Sequence, residues 1–194
     1  MTNSSTRHAN SNTENTWLKT YYFTRFAFSA IWVLIAFSVA KNVPALAAIM
    51  LVGYPLWDAA ANYVDAQRSG GLAQNKAQFF NFIVSIITAI AVAVALANSN
   101  NAVLIVFGVW AAFSGILQLA AAVGRWKTTG AQWAMILSGA QSTLAGAFMI
   151  NMAFGSEPVG IANIAPYAAF GAFYFLVSSI SLAISDARKK RVTA

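Results

Sequence analysis

The chain has 194 residues, 59% of them hydrophobic and only 9% charged, with a net charge of +7 and a mean hydropathy of +0.62. So apolar a composition leaves no room for a separate soluble domain, and the absence of cysteine excludes disulfides, thiol chemistry and cysteine-held metals. The positive balance is not that of a nucleic-acid binder, because no basic stripe is interleaved with exposed aromatic residues; membrane topology and anionic headgroups account for it.

Residues 1–18 are rich in Ser, Thr and Asn, include the single histidine, His8, and show no apolar periodicity, which predicts a disordered polar tail. Six apolar stretches follow, at residues 21–40, 44–64, 79–97, 102–123, 133–153 and 161–184, and residues 188–194 form a basic tail. A hydrocarbon core of about 30 Å needs about twenty residues at the helical rise, and lipid forces each segment to satisfy its own backbone amides. Residues 19–187 therefore read as an all-α six-helix transmembrane bundle. A secretory leader over residues 26–37, cleaved after Ser38-Val39-Ala40, is a weaker alternative: the long polar leader and the even helix parity argue against it.

Basic residues alternate between connections. Arg7, Lys19 and Arg25 precede or open the first stretch, Arg68 and Lys76 follow the second, Arg125 and Lys127 the fourth, and Arg188, Lys189, Lys190 and Arg191 the sixth. The opposite side carries only Lys41, with a polar run at residues 98–101 and Glu157. The positive-inside rule then places both termini in the cytoplasm. Trp17, Tyr21 and Tyr22, with Trp126 and Trp133, fall where a cytoplasmic aromatic belt is expected.

Aligning Gly53, Gly108 and Gly171 superposes the even stretches, each followed by an arginine fifteen to seventeen residues on, and Ser29, Ser85 and Ser138 align the odd ones. The chain thus reads as three successive parallel hairpins. Lipid supplies little hydrophobic drive between helices, so close packing is expected where small residues line up. Ser138, Ser142 and Gly146 form one such stripe and Gly108, Ala112 and Gly115 another, which predicts a close fourth and fifth span; sister subunits or other membrane proteins could use the same stripes.

The run from Phe107 to Leu117 (FGVWAAFSGIL), a basic loop, then Trp133 to Gly139 (WAMILSG) and Gly146, resembles the HdeD-like acid-resistance membrane proteins. The resemblance is best over residues 78–188; Tyr54-Pro55-Leu56-Trp57-Asp58 departs from it by placing a proline and an acid in the second stretch. It implies a small bacterial inner-membrane protein of short repeated hairpins with a role in acid stress. It implies no catalytic residues.

Asp58 is the one acid well inside a stretch, about 21 Å from the end at Pro44 by the helical rise. Tyr54 and Asn62 lie four residues to either side on the same helical face, and Asp65 one turn further. An intramembrane acid is by default a candidate site. It would pair with Arg25 as architecture, take up and release a proton, or snorkel uncoupled, with Pro55 kinking the helix nearby and Trp57 and Trp110 bounding a cavity. Core filling is the simpler role for Trp32, Trp57 and Trp110. Gln118, Ser138, Gln141, Ser142 and Thr143 form a second polar group suited to hydrogen bonding between helices, as do Asn81, Ser85 and Thr88; Asn151, Glu157 and Asn163 belong to the outer rim.

No phosphate-binding glycine loop, converging carboxylate pair or metal-ligand set occurs in the stretches, so no enzyme, cofactor or nucleotide is expected. Two functions remain. One is a non-enzymatic membrane protein of acid or envelope stress; the alternative is a small proton-coupled transporter or channel built on Asp58, Arg25, Tyr54 and Asn62.

Overall fold

A computed structural model describes the backbone of residues 2–68, 70–125 and 133–192, and the side chains of residues 16–68, 70–119 and 136–188. All regular structure among the described residues is helical: α1 (Thr2–Ser38), a 3-10 turn (Ala40–Asn42), α2 (Pro44–Arg68), α3 (Lys76–Leu96), α4 (Asn100–Arg125), α5 (Trp133–Ala153) and α6 (Ile161–Val192). The six helices occupy the six apolar stretches. Helical backbone also runs back to Thr2, through the polar leader that composition assigns to disorder. Extending a formed helix adds a hydrogen bond for each residue fixed, so a span can carry its helix past its apolar part.

Local chemistry sets the ends. Pro44 opens α2, where its missing N–H would have had no intrahelical partner. After α2, Gly70 and Gly71 take φ of +97° and +91°, a region that a side chain disfavours, and the Gly71 N–H donates to Ala66 O at 2.8 Å to close the helix end.

Among the described residues, five segments are long and apolar enough to cross a membrane: Thr16–Ser38, Pro44–Arg68, Lys76–Leu96, Asn100–Leu119 and Ile161–Arg188. Polar residues lie buried and large apolar ones exposed among the described residues. The interior holds alanines such as Ala36, Ala59, Ala89, Ala111 and Ala165 together with Ser29, Asn62, Asp65, Ser85 and Thr88. Leu34, Ile49, Val94 and Leu144 are about 70% exposed. Large apolar side chains cover the outside, while small and hydrogen-bonded residues share the interior with Phe107, Leu104 and Ile164, which suits a hydrocarbon solvent. The chain is a multi-pass membrane protein.

Two compact units divide the chain: Leu34–Tyr167, and Met1–Val33 with Ala168–Ala194. In the first, α4 packs most extensively with α5, then α2 with α3, and α3 also touches α4. The closest pairs are thus offset by one helix from the hairpins that the repeat alignment predicts. In the second unit α1 and α6 run antiparallel, with Lys19 Nζ 2.6 Å from Asp186 Oδ2, the Ser179 hydroxyl donating to Lys19 O at 3.3 Å, and Tyr22 stacked on Phe175 at 6.3 Å between ring centres.

Candidate functional site

The α4–α5 pair meets on residues seven apart in each helix. Asn101, Gly108 and Gly115 on α4 lie opposite Ala153, Gly146 and Gly139 on α5. The Asn101 amide donates to Ala153 O at 2.7 Å, satisfying a carbonyl at the α5 end. A Cβ on Gly108 would stand 2.8 Å from Gly146 O, and one on Gly139 2.9 Å from Gly115 O; real Cβ atoms essentially never show such contacts. A seven-residue spacing returns to within about 20° of the same helical face, which keeps this seam straight over two heptads.

The predicted second polar group divides at this seam. Ser142 belongs to it, its hydroxyl donating to Ala111 O at 2.9 Å and lying 3.3 Å from the Tyr167 hydroxyl. Thr143 turns its hydroxyl to Gly139 O within its own helix. Gln118, Ser138 and Gln141 are half-buried. The seam glycine is Gly139 rather than its neighbour Ser138.

The α2–α3 pair repeats the seven-residue spacing with polar groups. Asp58 Oδ2 accepts from the Ser85 hydroxyl at 2.7 Å, and Asp65 Oδ2 from the Gln78 amide at 3.1 Å. Both acids stand on α2 and both donors on α3, each set seven residues apart. Asn62 joins the upper rung, its amide donating to Asp58 Oδ2 at 3.0 Å and to Asp58 O at 2.8 Å. Asn62, Asp65, Ser85 and Thr88 are buried, whereas Asn81 is exposed. Burying an ionised carboxylate is costly unless donors reach it, and α3 supplies those donors. The Asp65 Oδ1 atom is buried and has no hydrogen-bond partner among the described residues.

Tyr54 and Arg25 both meet aromatic rings. Tyr54 packs edge-to-face on Trp110, ring centres 6.3 Å apart, and Trp110 packs likewise on Phe107 and Tyr167. Trp110 and Trp32 are buried, the filling role expected of them, and Trp57 is half-buried. Pro55, also buried, lies inside α2 one residue from Tyr54. Arg25 belongs to the unit containing α1 and the end of α6. There its Nη1 donates to the Tyr21 hydroxyl at 2.9 Å and its guanidinium lies 4.3 Å from the centre of the Phe175 ring.

The outer-rim residues keep to local roles. Asn163 accepts the Gly160 N–H at 2.8 Å, and Asn151 and Glu157 are exposed. Of the predicted aromatic belt, Trp17 packs on Tyr21 at 5.9 Å and Tyr21 on Tyr22 at 5.5 Å, while the side chains of Trp126 and Trp133 lie outside the described residues.

Residues 83–151 match the family model described as a short repeat of unknown function (DUF308), the domain found in HdeD-like membrane proteins. The match covers about a third of the chain and contains the whole glycine seam and Ser85, but not Asp58, Asn62, Asp65 or Gln78. No curated protein and no solved structure matches the chain.

Proposed function

We propose that this chain is a non-enzymatic bacterial inner-membrane protein with six spans and cytoplasmic termini, serving tolerance of acid or envelope stress. The observation that carries this reading is the coincidence of the short-repeat match with the glycine seam of α4 and α5. The matched segment is then built on helix packing, which needs no bound group. The sixth span is α5: it lies antiparallel along residues 101–115 of α4, inside the spanning segment Asn100–Leu119, and so shares its depth. Alternation of the basic connections supports the orientation.

The test is survival of a deletion strain after a low-pH challenge, with and without the chain restored. Lower survival that the restored chain reverses is expected; unchanged survival would sink the acid-stress reading.

Proton-coupled transport is the second reading. It is favoured by Asp58, whose carboxylate holds Ser85 on the neighbouring helix, so that adding a proton would alter a contact between two spans. Proteoliposomes report it through proton flux that Asp58→Asn abolishes while the fold survives. Flux equal in the variant and the parent removes Asp58 from any such role.

A further inference from the structure

The last turns of α6 carry the densest run of positive charge in the sequence. Helical backbone continues to Val192, through the unbroken run Arg188, Lys189, Lys190 and Arg191. Two residues before the run, Asp186 makes its 2.6 Å ion pair with Lys19 of α1. Lys19 itself sits between Trp17 and the tyrosines Tyr21 and Tyr22, the aromatic group that marks the membrane surface at this end of α1. Asp186 therefore lies at the level of that surface. At 1.5 Å per residue, positions 188–191 lie about 3 to 8 Å beyond it. That is within the screening length of about 8 Å at physiological ionic strength, so these charges act on the headgroups rather than on bulk solvent. Successive helix positions are about 100° apart, so the four backbone positions together turn through about 300°. Asp186, the nearby acid on α6, is engaged by Lys19.

We propose that the end of α6 is a binding surface for anionic phospholipid headgroups, whose phosphodiesters it gathers around the α1–α6 pair. The ion pair is the positioning element and the run of four cations the recognition element. The inference requires membrane placement but neither the acid-stress reading nor the orientation, because a synthetic bilayer presents the same lipid on both faces.

The experiment uses the full chain, extracted from vesicles of equal phosphatidylglycerol and phosphatidylcholine, with retained lipid counted by native mass spectrometry. Preferential retention of phosphatidylglycerol is expected, falling about tenfold or more when R188Q, K189Q, K190Q and R191Q are combined. Combining R68Q, K76Q, R125Q and K127Q removes as much charge from the other connections and should leave retention within twofold. Equal loss in the two variants would reduce the effect to net charge, and no preference in the parent chain would end the proposal. Displacement by soluble glycerol phosphate would assign the surface to free phosphate and overturn the lipid assignment. Asp186→Asn adds positive charge while releasing the anchor, so a fall in retention supports positioning and a rise refutes it.

Discussion

Gly115 and Gly139 meet backbone to backbone across the α4–α5 pair: a Cβ on Gly139 would lie 2.9 Å from Gly115 O, and one on Gly115 would be 2.5 Å from Gly139 O. One heptad away Gly108 and Gly146 repeat the approach, and one further the Asn101 amide binds Ala153 O. Nothing larger than hydrogen fits where backbone faces backbone, because neither chain can swing aside as a side chain would.

Gly146→Ala should therefore destabilise the protein by about 1–3 kcal/mol, the usual cost of overpacking, since its methyl would meet Ala112 N and Gly108 O. Gly53→Ala, with nothing within 4 Å of the new carbon, should instead gain up to about 1 kcal/mol from helix propensity. Thermal unfolding of both variants in one detergent checks the opposite signs; the same sign in both would show that the seam is looser than its geometry.

Ser85→Ala removes a part-buried donor to Asp58 Oδ2, which still accepts from Asn62, so the expected loss is about 0.5–1.5 kcal/mol. Asp58→Asn keeps an acceptor for Ser85 and removes the charge, so it should cost less. Adding Ser85→Ala to Asp58→Asn should then cost less than Ser85→Ala alone. A double-mutant cycle of unfolding free energies gives the coupling, and additivity would show that the two helices do not depend on this bond.

The positions of the spans, the closeness of α4 and α5, and the pairing of Asn62 with Asp58 were legible in sequence because each follows from apolar length, residue size or a four-residue helical step. Partners across a loop were not. Gln78 escapes a reading based on one helix because it binds Asp65 from the next, although acids at 58 and 65 and donors at 78 and 85 share one seven-residue step. Ser138 was placed on the seam by an eight-residue stripe ending at Gly146, which winds about 80° off a helical face. Gly139, seven residues before Gly146, stays on it. Tyr54 is one turn from Asp58, yet its ring reaches Trp110, and neither ring size nor spacing reveals that choice.

The lower rung behaves differently from the upper. Asp65 presents a buried Oδ1 with no hydrogen-bond partner among the described residues, so its negative charge is poorly compensated. Asp65→Asn should be neutral or stabilising, because it removes a buried charge and leaves an amide able to bond with Gln78. Gln78→Leu should cost about 1–3 kcal/mol, since it takes away the donor to Oδ2. Unfolding midpoints compare the two, and a large loss with Asp65→Asn would mean that the charge itself holds the α2–α3 pair.

The absence of cysteine makes the natural chain its own background for topology mapping. Single cysteines at Ser11, Ala73 and Thr193 should react with a membrane-impermeant maleimide only after the cytoplasmic side is opened. Cysteines at Ser99 and Ser156 should react in intact cells. Six crossings require Ser11 and Thr193 to share one side, whereas five would part them, so these two positions decide whether α5 crosses with α4. Ser99 and Ser156 flank the end of that pair where Asn101 meets Ala153, and they should label together. Labelling of Ser99 without Ser156 from outside would break the antiparallel crossing of α4 and α5.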